Sequence, residues 1–123
     1  MNILADIKQT LTPLGIPLET GVFTDTAPDT YIVVVPMSDS FALNADDAPS
    51  YDVQEAHVSL YSKGNYLRDK NRIIRSLFGA DFTITSRQYI GFETDTAYHH
   101  YVVDVEKHYY YEMEEFSNGH NRS

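Results

Sequence analysis

The chain has 123 residues, 42% of them hydrophobic, a formal net charge of −9 and no cysteine. That length provides for one domain with one modest core, and the lack of cysteine excludes disulfides, thiolate metal sites and a cysteine nucleophile. The acidic balance argues against general nucleic-acid binding, which relies on Lys and Arg to neutralise phosphates. No run of 18 apolar residues is present to span a membrane, and Asp6 and Lys8 break the early apolar pattern that a signal peptide needs, so the expected site of folding is the cytoplasm.

Asn2 is placed to cap a helix, and Ile3, Leu4, Ile7, Leu11 and Leu14 recur at helical spacing, with an end somewhere in residues 9–14 set by Pro13 and Gly15. Residues 16–23 read as a short strand and 24–30 as a turn. The continuous apolar run at 31–36, YIVVVP, predicts a central strand covered on both faces. Residues 38–50 lack a period and hold Asp39, Asp46 and Asp47, which predicts a long exposed loop. In that loop Phe41 either packs on a neighbouring chain or pins the loop to its own core.

Ala56, Val58 and Leu60 alternate with polar residues as in a strand with one buried face. A second helix follows, with Tyr66, Ile73 and Leu77, and beside them Leu67, Ile74 and Phe78, expected to face the core. Gly79 is expected to end it in the left-handed conformation. Phe82, Ile84, Ile90 and Phe92 predict a strand interrupted near residues 86–88. The turn at 93–96 leads into a tyrosine-rich strand at 96–111. Unbroken, that strand spans about 50 Å, against about 35 Å for a compact domain of this size. Part of it is therefore expected to bend, bulge or project, with Tyr101, Val103 and Val105 on the buried parity. Residues 113–123 are polar without a period and are expected to be mobile. The order α-β-β-β-α-β-β, joined mostly by hairpins and loops, predicts an α+β domain over 1–112. In it, a mainly antiparallel sheet of about five strands carries two amphipathic helices on one face.

No phosphate-binding glycine loop, GxSxG elbow, HExxH helix or calcium loop is present. His99 and His100 point to opposite faces of a strand and cannot share an ion. Asp104, Glu106 and His108 share one face at about 7 Å spacing, which fits either three corners of a metal site or an ordinary solvated strand face. Five of the nine Lys and Arg residues lie within 63–75, so the molecule is electrically two-sided.

The segments GIPLETGVF, DTYIVVVPMSDS, the ADD of the loop, VQEAHVSLYSKGNY and ETDTAYHHYVVDVE, in that order, resemble the tail-completion or tail-terminator proteins of long, flexible-tailed prophages of Gram-positive bacteria. The resemblance covers roughly residues 2–112. It implies a non-enzymatic α+β subunit without a cofactor that assembles with itself into a ring, commonly a hexamer. Such a ring caps the tail-tube protein and meets the head connector, in the host cytoplasm during assembly and then in the virion, and it passes DNA without specific binding. A head-closure or connector adaptor, a regulatory binding module, and a metal- or small-ligand enzyme are the alternatives. For a ring, the basic face of Arg68, Lys70, Arg72 and Arg75 is expected to meet an acidic surface, such as Asp46 and Asp47, on the next subunit or on a tail protein. Acidic side chains are expected to line the lumen, and Tyr109, Tyr110 and Tyr111 to make a subunit or tail contact.

Overall fold

The computed structural model describes residues 2–21, 26–42 and 50–110. Helix α1, Ile3–Leu11, starts where the Asn2 side chain accepts hydrogen bonds from the backbone N–H of Leu4 and Ala5. It passes into a single 3-10 turn, Thr12–Leu14, in which Pro13 sits where its missing N–H costs least. Gly15 at φ 77° then turns the chain out in a conformation that other residues adopt only with strain.

Strand β1, Leu18–Thr20, pairs in parallel with β2, Thr30–Ala42. Strands β3, Tyr51–Ser62, β4, Thr83–Glu93, and β5, Tyr98–Tyr110, complete a five-stranded sheet in the order β1-β2-β3-β5-β4, and every pairing but the first is antiparallel. Helix α2, Tyr66–Gly79, crosses from β3 to β4. The fold is therefore α+β, with the expected order of helices and strands. Ile7 and Leu11 of α1 and Ile73 and Leu77 of α2 bury against Ile32, Val34, Val58, Leu60, Val103 and Val105, which share one face of the sheet. Truncating any of these large side chains to Ala costs on the order of 2–5 kcal/mol.

Several expectations are corrected. Residues 38–42 belong to β2 rather than to a loop: after a bulge between Pro36 and Ser38 the strand continues to pair with β3 as far as Ala42 and Tyr51. Ladder pairing, not burial, makes this stretch a strand, and so its polar side chains gave no strand signal. Only residues 43–49 of the expected loop lie outside the described residues. The run at 31–36 is not covered on both faces: Ile32 and Val34 are buried, but Val35 is 36% exposed, because both helices lie on the other side.

At the end of α2, Gly79 is the last helical residue, and the left-handed residue is Asp81 at φ 69°. The N–H of Phe82 bonds the Leu77 carbonyl and that of Asp81 the Phe78 carbonyl, the two bonds of a Schellman cap. Phe82 is buried beside Leu77, as expected of the residue that follows such a cap. Leu67 and Phe78 do not face the core, and Phe78 is 74% exposed. The interruption expected near residues 86–88 of β4 is a bulge at Ile84/Ser86, and a second bulge lies at Tyr89/Gly91. Strand β5 neither breaks nor projects alone, since β3 pairs with it from Ser62 and His99 to Tyr51 and Tyr110. The expectation of a projecting end assumed a compact domain, but β2, β3 and β5, of 13, 12 and 13 residues, share the extension.

Candidate assembly surfaces

The basic helix does not present a uniform charged face. Asn65 caps α2 by accepting from the Arg68 N–H, and one turn in, Asp69 is buried among cations. Arg72 donates to Asp69 Oδ1 at 3.2 Å and to the Leu14 carbonyl at 2.7 Å, so it ties α2 to the end of the first helical segment. A buried carboxylate needs such a partner, because desolvating an unpaired charge costs several kcal/mol or more. Arg72 therefore acts as a strut within the domain, with its side chain 31% exposed. Lys70 lies over the Tyr101 ring, 5.2 Å from its centroid. Arg68, which also approaches Asp69 at 3.5 Å, and Arg75 are the exposed cations of the helix.

The three tyrosines at the end of the last strand also part company. Tyr109 is 8% exposed, and its hydroxyl donates to Asp6 Oδ2 at 2.8 Å. Lys107 joins the same carboxylate at 3.1 Å, donates to the Ala80 carbonyl and lies over the Phe82 ring, so one polar knot links α1, the α2–β4 connection and β5. Burial first, and the hydrogen bond to Asp6 second, push the Tyr109 phenol well above its ordinary pKa. Tyr109 is core, not contact. Tyr110 points to the opposite face, is 60% exposed and packs near Tyr51 at 4.9 Å between ring centroids. Phe41 is 57% exposed near the end of β2. Tyr111, Asp46 and Asp47 lie outside the described residues.

The sheet face turned away from the helices carries a row of rings that the sequence alone did not reveal. Tyr31, Tyr61 and His100 stand on adjacent strands and stack at 4.8 and 4.2 Å, with Tyr98 edge-on to Tyr31 at 5.4 Å. The pairing of Tyr31 with Tyr61 and of Tyr61 with His100 places them there, and this register is a tertiary fact. Burial lowers the pKa of His100, against an opposing pull from Glu93, with His57 adding a smaller push downward. Burial likewise raises the phenols of Tyr31 and Tyr61. His100 Nε2 is buried without a hydrogen-bond partner among the described residues.

Further along this face, His57 Nδ1 pairs with Asp104, and His108 lies 3.5 Å from Glu106. Asp104, Glu106 and His108 do share the face, but they are engaged pairwise. Among the described residues no group of three His, Asp or Glu side chains is placed to hold a metal ion. His99 points to the helix-covered side, where Tyr89 and Tyr66 meet it, so the two adjacent histidines do face apart. Comparison of the sequence with protein-family models and with curated proteins gives no match.

Proposed function

We propose that this chain is a phage virion-assembly subunit, a tail terminator or tail-completion protein that forms a ring on the end of the tail tube and joins it to the head connector. The observation that carries the reading is the resemblance of five ordered segments spread over residues 2–112. The resemblance implies an α+β subunit, and the fold is α+β. Further support comes from the architecture: a small sheet with helices on one face, a row of rings on the other and, among the described residues, two outer edges that pair with no further strand offers several surfaces for protein contact. In this reading the protein works by contact rather than catalysis.

The test is to mix the purified chain with a tail-tube protein from the same genome and to image the product by negative-stain electron microscopy. Tubes capped at one end, with the chain retained in pull-down, are the expected result. Retention by the portal-side adaptor but not by the tube protein would move the chain to head closure, and binding to neither would end the assembly reading.

A further inference from the structure

The side chains on the two outer edges of the sheet differ in a complementary way. We infer that copies of this chain join head to tail, the α2–β4 edge of one against the β1–β2 edge of the next. This inference rests on the ring reading above and names the surfaces that would build the ring.

The strand order places β4 at one end of the sheet and β1 with β2 at the other. Exposed large apolar side chains collect at both ends. On one side stand Ile90 and Phe92 of β4 with Leu67 and Phe78 of α2; on the other stands Met37 of β2, with Val35 close by on the sheet face away from the helices. Leu67, Ile74 and Phe78 form one row of α2 by their spacing. Arg72 lies on the opposite flank and reaches back toward the end of α1, so that row faces the β4 edge.

Charge divides along the same line. Residues 9–62, which supply β1, β2 and β3, contain eight Asp and Glu residues and no Lys or Arg. Asp39 and Glu19 are exposed at the β1–β2 edge, whereas Arg68, Arg75 and Arg87 are exposed on α2 and β4 and outnumber the exposed Glu93 at the end of β4. A two-fold contact of either edge with itself would oppose like charges. A heterologous contact opposes unlike ones while covering both apolar sets, and repeated contacts of that kind close into a ring when the rotation fits. The acidic edge also has a recess of about 450 Å³ between the start of α1 and the bulge of β2, lined by residues that include Ile3, Leu4, Met37 and Asp39. The projecting Phe78 ring is suited to such a recess. Bulges interrupt both edges, and Pro36 lacks a backbone donor, so the contact is made by side chains and not by extending the sheet from copy to copy.

Two variants test this. One carries Ile90→Ser with Phe92→Ser, the other Met37→Ser with Asp39→Lys; all four positions are exposed, and circular dichroism with thermal unfolding checks that each variant is folded. Sedimentation velocity is expected to show an oligomer for the unaltered chain, loss of self-association for each variant alone, and a 1:1 pair when the two are mixed. The mixed pair arises because each variant keeps the edge the other lacks, and a misfolded chain would not be rescued in this way. Variants that still assemble alone, or a mixture that stays monomeric while the unaltered chain assembles, would overturn the edge assignment and leave the ring reading standing. An unaltered chain that stays monomeric at every concentration, and also on tail tubes, would overturn both.

Discussion

Residues with the same chemistry and nearly the same position do different jobs in this chain, and substitutions separate them. Tyr109 and Tyr110 are adjacent, yet one hydroxyl is donated to Asp6 inside the domain and the other ring lies on the outside. Tyr109→Phe keeps the ring but removes a hydrogen bond to a carboxylate, and is expected to cost about 1–2 kcal/mol. Tyr110→Ser is expected to cost under about 0.5 kcal/mol. Urea unfolding of both variants checks the contrast, and equal losses would refute the placement of the two rings. Arg72 and Arg75 make a second pair. Arg72→Ala leaves buried Asp69 without its 3.2 Å partner and the Leu14 carbonyl without a donor, for an expected loss of about 2–3 kcal/mol. Arg75→Ala is expected to fall within about 0.5 kcal/mol of the parent. A large loss for Arg75→Ala would show that the helix depends on its outer charge.

At the scale of elements, the stack of Tyr31, Tyr61 and His100 joins β2, β3 and β5 and makes stability depend on pH. Burial holds the His100 pKa below its ordinary value near 6.5, so the unfolded chain takes up the proton more readily than the folded one. Stability from the neutral ring is therefore present above about 6.5 and is lost as pH falls through the lowered folded value. His100→Phe keeps a flat ring on Tyr61 and removes the titration. Denaturation midpoints measured between pH 7 and pH 5 are expected to fall less steeply for the variant than for the parent, and parallel curves would remove His100 as the cause. Such a stack was only half legible. Period-two alternation put Tyr101, Val103 and Val105 on one face of β5, and a local signal found the start of α1 at Asn2. Which strand lies beside which, and with what register, depends on contacts far apart in sequence, so neither Tyr61 beside His100 nor Asp6 beneath Tyr109 left a local trace. The left-handed residue after α2 misled for a different reason: glycine is favoured there, but aspartate tolerates that conformation too, and the chain uses Asp81. Of the expected contact residues, Arg72 and Tyr109 have partners within the domain, which the sequence did not signal, because a charge and a ring look alike in sequence whether they face inward or outward.

For the whole molecule, the separation of charge matters more than its net value. A chain of −9 repels its copies at long range, yet Glu19 and Asp39 are exposed at the β1–β2 edge, and Arg68, Arg75 and Arg87 are exposed on α2 and β4. If these edges meet in the proposed ring, association has an attractive local part and a repulsive global part, and salt weakens the two unequally. Repulsion between whole copies acts over distances that about 0.1 M salt already screens, because the Debye length is then about 10 Å. Contacts between facing side chains are weakened mainly as that length shrinks toward about 3 Å near 1 M. Self-association measured by light scattering is therefore expected to hold or rise up to about 0.1 M salt and to weaken toward 1 M, without vanishing, since Phe78, Ile90 and Phe92 still bury apolar surface. Arg68→Glu with Arg87→Glu should remove the high-salt decline, because assembly is weakened most at low salt and approaches that of the parent toward about 1 M, where the charges are screened in both. Assembly that is indifferent to salt in the parent would mean that the charged edges do not face each other.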